Sequence, residues 1–121
     1  MTRKIYVIED DQPILELMEL LIRKLDFEPV LVENVIESLE MIQQDPPALI
    51  LLDIMMAPMN GWELLALLRK DEKTRDLPVI FFTASPSVKE KMALLNDPHL
   101  GMLQKPVSFT ELKEEIGRFI S

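Results

Sequence analysis

The most constraining feature of the sequence is a short apolar run that ends in a carboxylate. Residues 48–52 are Ala-Leu-Ile-Leu-Leu, and Asp53 follows them directly. An uninterrupted apolar run of this length is typical of a strand buried on both faces, as in parallel sheets covered by helices. The pairs Ala57-Pro58 and Asn60-Gly61 further on are typical of turns. The sequence therefore predicts that Asp53 ends a central strand at the mouth of a loop, where open parallel sheets bind their ligands.

Apolar runs of this kind alternate with segments whose apolar residues recur at helical spacing. The other predicted strands are Lys4–Ile8, Pro29–Val32, Leu77–Phe82 with Thr83 at its end, and Gly101–Gln104. The predicted helices follow them, with apolar stripes that include Ile14 to Leu25, Val35 to Ile42, Trp62 to Leu68, Val88 to Leu95 and Leu112 to Phe119. Five β-α repeats indicate one α/β domain over residues 1–121, with a doubly wound parallel sheet and five helices.

Helix starts are marked by residues that cap a free N-terminus. Three cap and N3 pairs are Asn34 with Glu37, Asn60 with Glu63, and Ser108 with Glu111. Pro13 suits a first helical turn, and we expect Ser85 to cap the fourth helix with Pro86 at its first position.

Composition excludes several classes of function. The chain has 121 residues and no cysteine, so it forms no disulfide and no thiolate metal site. Its formal net charge of -8 argues against nucleic acid as a partner of this chain. No apolar segment reaches the roughly 20 residues that span a bilayer, and the first residues do not form a signal peptide. We therefore expect a cytoplasmic protein without a membrane partner.

Polar side chains follow four of the five predicted strands. Glu9 and Asp10 end the first strand, Asp53 the third, Thr83 the fourth and Lys105 the fifth. The carboxyl ends of parallel strands meet at one edge, so these groups are expected to share a site. Three clustered carboxylates favour a hard cation, Mg²⁺ or alternatively Mn²⁺. A cation and a lysine beside an isolated carboxylate favour phosphoryl transfer to Asp53, with Thr83 as a hydrogen-bond donor to a phosphoryl oxygen.

With these residues placed, the whole chain resembles the receiver domain of two-component response regulators, of the single-domain type. The matching segments are Val7-Ile8-Glu9-Asp10, Leu51-Leu52-Asp53 with Gly61 eight residues on, Phe82-Thr83-Ala84, and Lys105-Pro106. The resemblance implies a flavodoxin-like sheet of strand order 2-1-3-4-5. It also implies a signalling phosphoacceptor that assists only its own phosphorylation and dephosphorylation, and no other enzymatic activity.

The resemblance further implies a role for each matching residue. Glu9, Asp10, Asp53 and the backbone carbonyl of Met55 would bind the metal. Asp53 would accept a phosphoryl group from a phosphohistidine of a sensor histidine kinase or a histidine phosphotransfer protein. Thr83 and Lys105 would contact that phosphoryl group, and the bond before Pro106 would be cis. The protein would be a monomer or a weak phosphorylation-dependent dimer, with an unknown downstream target.

The sequence departs from the family pattern at three places. Ala57 stands where a proline is usual and Pro58 follows it, Pro98-His99 replaces a Gly-Ala pair, and Met102 stands at the position of a switching aromatic residue. These changes leave phosphorylation as the interpretation but question the usual coupling between Thr83 and position 102. We interpret His99, the only histidine, as a loop residue rather than a metal ligand.

Three other interpretations remain open from the sequence. A pseudo-receiver would keep the fold as an interaction module without phosphotransfer. A haloacid-dehalogenase-like phosphatase would also phosphorylate an aspartate, but it needs an acid two residues on, where this chain has Met55. A flavodoxin is possible on fold alone, although the first loop lacks a Ser/Thr/Gly run to hold a phosphate.

Overall fold

A computed structural model describes residues 3–85 and 87–120 of the chain. The strands are β1 (Lys4–Ile8), β2 (Glu28–Val32), β3 (Leu49–Asp53), β4 (Val79–Thr83) and β5 (Leu100–Gln104). The helices are α1 (Gln12–Lys24), α2 (Val35–Gln44), α3 (Gly61–Lys70), α4 (Val88–Leu95) and α5 (Phe109–Gly117). All strand pairs are parallel, in the order β2-β1-β3-β4-β5, so the predicted fold class is confirmed. Within the described residues, no helix has the length and apolarity needed to cross a membrane.

The sheet separates two apolar clusters, because alternate side chains of each strand point to opposite faces. Tyr6 and Ile8 of β1 pack with residues of α2, α3 and α4 on one face. Ile5 and Val7 pack with residues of α1 and α5 on the other. Every residue of β3 and β4 is buried, as expected for central strands covered on both sides. The central strands are therefore fixed in position from both faces, and their carboxyl ends can hold polar groups in a defined geometry.

Most of the predicted helix caps are present. The side chain of Asn34 accepts hydrogen bonds at the start of α2, and both Asn60 and Ser108 form capping boxes with the glutamate three residues on. Asp11 caps α1 by accepting from Ile14 N, at 3.3 Å. These local bonds satisfy N–H groups that a helix start leaves free.

The predicted start of α4 is wrong. Ser85 is not its cap: α4 begins at Val88, after Ser87, whose side chain forms no capping bond. The backbone N–H of Ser85 instead donates to Thr83 Oγ1, at 3.2 Å, and its hydroxyl pairs with that of Ser87, at 2.8 Å. Helix α4 therefore starts only after the turn that Thr83 stabilises. The expectation for Pro86 lies outside the described residues.

The predicted strand over Leu77–Phe82 begins two residues late, at Val79. Leu77 N donates to Thr74 O in a turn, and Leu77 O accepts from the Arg69 guanidinium at 2.8 Å. The backbone of Leu77 is therefore engaged before the strand starts.

A carboxylate of α5 lies at the outer edge of β5. Glu115 Oε2 accepts a hydrogen bond from the backbone N–H of Met102, at 3.0 Å. A Cβ atom on Gly101 would lie 2.5 Å from this same oxygen. Gly101 thus lets the carboxylate approach the strand closely.

Candidate functional site

The sheet register brings the predicted site residues to one edge. Ile8 pairs with Leu52, so Glu9 and Asp53 follow paired residues on neighbouring strands. Asp53 in turn pairs with Phe82, the residue before Thr83. The backbone N–H of Lys105 donates to Thr83 O at 2.8 Å, which ties the end of β5 to that of β4. The structure therefore places all five residue positions at the carboxyl edge of the sheet.

Three carboxylates form a cluster at this edge. Glu9, Asp10 and Asp53 each present an oxygen within 4.8 Å of the others. Glu9 and Asp53 are buried, whereas Asp10 is exposed. Carboxylate oxygens are the ligands that Mg²⁺ prefers in proteins. Because Asp10 is exposed, the cluster is open to solvent on one side.

Lys105 supplies the positive charge of the cluster. Its ammonium donates to Glu9 Oε1 at 2.9 Å and lies 3.7 Å from Asp53 Oδ2. The same ammonium lies 4.9 Å from the centre of the Phe82 ring. Sequence reasoning did not identify Phe82 as part of the site, because a buried aromatic residue in a strand is ordinary core. A cation–π contact between the Phe82 ring and the Lys105 ammonium stabilises the ammonium, which is partly shielded from water.

Glu9 is the most perturbed group of the site. Burial raises the pKa of Glu9 to about 8, and the nearby Asp53 carboxylate adds to this, while Lys105 opposes it. Glu9 Oε2 is buried and has no hydrogen-bond partner among the described residues. A buried carboxylate oxygen without a donor is costly unless a proton or a cation binds there. The donor set and this oxygen therefore fit a divalent cation.

Asp53 is held by the loop that follows it. Its Oδ1 accepts a hydrogen bond from the backbone N–H of Met55, at 3.1 Å. The loop closes where Gly61 N donates to Ile54 O at 2.9 Å. A Cβ atom on Gly61 would lie 2.9 Å from Ile54 Cα and 3.1 Å from Asp53 O. Only glycine permits this close approach, so the Asn-Gly pair predicted as a turn also shapes the site.

Thr83 is buried at the end of β4, where its hydroxyl accepts from Ser85 N. Met102 of β5 is half-buried, pairs with Phe81 and packs against the cluster beneath α3 and α4. The peptide bond before Pro106 is cis, and so is the bond between Ala57 and Pro58.

The methionines after Asp53 differ in environment. Met55 is 79% exposed, Met56 is buried, and Met59 packs against the core. His99 lies outside the site, on the opposite edge of the sheet, with Nε2 3.7 Å from Asp76 Oδ1. The structure thus agrees with the interpretation of His99 as a loop residue.

A doubly wound parallel sheet of this strand order is the flavodoxin-like fold, and here its carboxyl edge carries an acidic pocket and a lysine. Residues 5–117 match the family model described as the response regulator receiver domain, and the chain belongs to this family. The family predicted from the sequence motifs is confirmed.

Relatives and solved structures agree with this assignment. The phosphate regulon transcriptional regulatory protein PhoB of Klebsiella pneumoniae is 32% identical over 96% of this chain and 51% of its own length. The chain therefore spans about half the length of several curated relatives that it matches. The polar-differentiation response regulator DivK of Brucella ovis is 27% identical, over 99% of this chain and 98% of its own. The N-terminal domain of a response regulator receiver protein from Methanoculleus marisnigri superposes with a TM-score of 0.80 at 31% identity, covering 100% and 98% of the two chains.

Proposed function

We propose that this domain is the phosphoacceptor of a two-component system or phosphorelay, and that Asp53 receives a phosphoryl group from a phosphohistidine. The observation that supports this best is the contact geometry of one lysine with two carboxylates. The Lys105 ammonium lies 2.9 Å from Glu9 Oε1 and 3.7 Å from Asp53 Oδ2. A phosphoryl group on Asp53 would meet this ammonium directly.

The proposed reaction exchanges one bond to phosphorus for another. A carboxylate oxygen of Asp53 attacks the phosphorus in line, the P–N bond to the imidazole breaks, and its electron pair leaves with the nitrogen. The product is an acyl phosphate on Asp53 and a free histidine on the donor. Lys105 and the Thr83 hydroxyl would offset charge on the phosphoryl oxygens, since phosphoryl transfer depends mainly on positioning and electrostatics.

The metal ligands would be Glu9, Asp10, Asp53 and the carbonyl of Met55. A bound Mg²⁺, or Mn²⁺ in its place, would offset negative charge on the phosphoryl oxygens. Glu9 must lose its proton to bind a cation, and its raised pKa makes this loss part of the binding equilibrium. The unpartnered Glu9 Oε2 supports a ligand at this position.

The proposed partners are a sensor histidine kinase or a histidine phosphotransfer protein as donor. We further propose that phosphorylation acts through Thr83 and Met102. Thr83 Oγ1 holds the turn before α4, and Met102 packs beneath α3 and α4. If the hydroxyl moved to a phosphoryl oxygen, it would release Ser85 N and free that turn to move.

The test is the mass of the intact protein after incubation with phosphoramidate, with Mg²⁺ or with EDTA. We expect the addition of one phosphoryl group that requires Mg²⁺. Asp53→Asn should abolish it, whereas Asp76→Asn, an exposed aspartate at the other end of the sheet, should not. Failure of the wild type to gain mass from phosphoramidate and from a phosphohistidine donor would refute phosphotransfer and indicate an interaction module. Steady release of phosphate from added monoesters would instead indicate the phosphatase.

A further inference from the structure

A second cavity lies apart from the acidic pocket, between α3 and α4. It has a volume of about 600 Å³ and extends from Trp62 to the loop that precedes β5. This volume lies within the range of small-molecule sites, roughly 300–1,000 Å³. Neither the acidic cluster nor Thr83 and Lys105 line it. The cavity is therefore not part of the site proposed for phosphotransfer at Asp53.

The walls of the cavity are largely apolar and rigidly supported. Leu65 and Ala66 belong to α3, Leu95 is an exposed leucine of α4, and Pro98 closes the end near β5. Trp62 packs edge-on against the buried Phe81 ring, with 4.7 Å between ring centroids and 62° between ring planes. A tryptophan held in this way offers flat apolar surface at little cost in side-chain entropy.

Cationic side chains also line the cavity, and they differ in whether they already form an ion pair with a carboxylate. The Arg69 guanidinium is engaged with Asp97 Oδ2 at 2.8 Å and with the carbonyls of Leu77 and His99. Arg75 and Lys91 also line the cavity, and so does Asp76, whose carboxylate lies 3.7 Å from His99 Nε2. Within residues 3–85 and 87–120, neither Arg75 nor Lys91 forms an ion pair with a carboxylate.

Lys91 is positioned at the mouth of the cavity by the aromatic wall. Its ammonium lies 4.5 Å from the centre of the Trp62 ring, a favourable cation–π distance. This contact uses no carboxylate or carbonyl acceptor, so the ammonium can also donate to an anion. With Arg69 paired to Asp97, the lining keeps two cations, Arg75 and Lys91, against one carboxylate, Asp76, and this excess of positive charge favours an anionic ligand.

We propose that the cavity between α3 and α4 binds a small planar aromatic anion, whose ring system packs against Leu65 and Pro98 beside Trp62 and whose acidic group pairs with Lys91 and Arg75. The site is distinct from the phosphoacceptor pocket and does not require phosphorylation.

The probe is 2-naphthoate, with 2-naphthamide as an uncharged ligand of the same shape. Binding is followed by two-dimensional ¹H–¹⁵N NMR, in which the only tryptophan gives a single indole N–H signal from the cavity wall. We expect saturable shifts centred on this signal and on α3 and α4. A ligand of this size has an expected Kd on the order of 1 mM. The amide should bind at least about fivefold more weakly.

The test variant is Lys91→Gln, and Lys89→Gln is its matched control. Both lysines are exposed on α4, but Lys89 lines a different surface. We expect Lys91→Gln to weaken naphthoate binding about fivefold and Lys89→Gln to leave it unchanged. The Asp53→Asn variant should bind naphthoate as the wild type does, which separates this proposal from the proposed phosphotransfer. Equal binding of the acid and the amide, equal effects of the two lysine variants, or shifts centred elsewhere would each overturn the proposal.

Discussion

Replacing Glu9 by glutamine tests whether burial of this carboxyl group raises its pKa. The pKa of Glu9 is about 8, compared with an ordinary value of 4.5. The folded protein therefore retains a proton between these two pH values that the unfolded chain has released. Because the folded state binds more protons in this window, its stability falls as the pH rises through it and levels off above pH 8.

The size of the effect follows from the two pKa values. One pKa unit corresponds to about 1.4 kcal/mol, so between about pH 5 and pH 7 Glu9 alone lowers the free energy of unfolding by on the order of 2–3 kcal/mol. The Glu9→Gln variant has no titrating group at this position. The difference in stability between the variant and the wild type should therefore grow by this amount from pH 5 to pH 7 in EDTA.

The assay is urea unfolding monitored by the fluorescence of Trp62, which packs on Phe81 in the core. Glu16→Gln, an exposed glutamate of α1, is the matched control and should leave the pH profile unchanged. Saturating Mg²⁺ should remove most of the slope in the wild type, because a cation at the cluster binds the ionised carboxylate and displaces the proton.

Parallel pH profiles for the wild type and Glu9→Gln in EDTA would refute the reasoning. They would mean that Glu9 ionises in the folded protein as easily as in water, so that neither its burial nor its unpartnered oxygen is costly. The case for a cation at this position would then lose its main physical support.

Three further predictions concern other parts of the chain. Gly61→Ala should lower the free energy of unfolding by about 1–3 kcal/mol, because the new methyl group would meet the backbone of Ile54. Gly117→Ala is the matched control, since a Cβ atom there has no neighbour within 4 Å. In the same urea experiment it should raise the free energy of unfolding by about 0.5–1 kcal/mol. Arg69→Lys should cost about 1–3 kcal/mol by urea unfolding, since an ammonium cannot replace a guanidinium that contacts one carboxylate and three carbonyls; a loss below 0.5 kcal/mol would contradict this. If Asp53 is phosphorylated as proposed, we expect the acyl phosphate to persist well beyond seconds after removal of the phosphodonor, because we expect the Met55 side chain two residues on to hinder water, and to decay faster in Met55→Ala. Decay of the wild type within seconds, measured by intact mass, would contradict this.

The pattern of the sequence was sufficient to predict the order of elements and the edge on which the polar groups meet. The strand Lys4–Ile8 and the strand end at Asp53 have the predicted bounds, because each apolar run ends abruptly in an acidic residue. Leu77 was predicted as strand because it continues an apolar run. Its backbone N–H closes a local turn with Thr74, and its carbonyl accepts from the Arg69 side chain, a contact that the apolar pattern does not contain.

The internal geometry of the site was less accessible to sequence reasoning. The pattern brings Lys105 near the acids, but it does not show that its shortest contact is to Glu9 rather than to Asp53. The support of Lys105 by the Phe82 ring also depends on packing across elements. These contacts of Lys105 join residues far apart in the chain, and only coordinates reveal them, whereas the displaced start of α4 follows from local hydrogen bonds of Ser85 with Thr83 and Ser87.

The carboxylate of Glu115 has a consequence for how copies of this domain can associate. An edge strand with unpaired backbone N–H groups can form hydrogen bonds with a strand of another molecule and so extend the sheet across both. Here the donor of Met102 is already taken by a side chain of the same molecule, at 3.0 Å. A second copy could pair with the edge of β5 only after displacing the Glu115 side chain from Met102. We therefore expect copies that associate on this side of the domain to use the exposed surfaces of the helices instead of the backbone of β5.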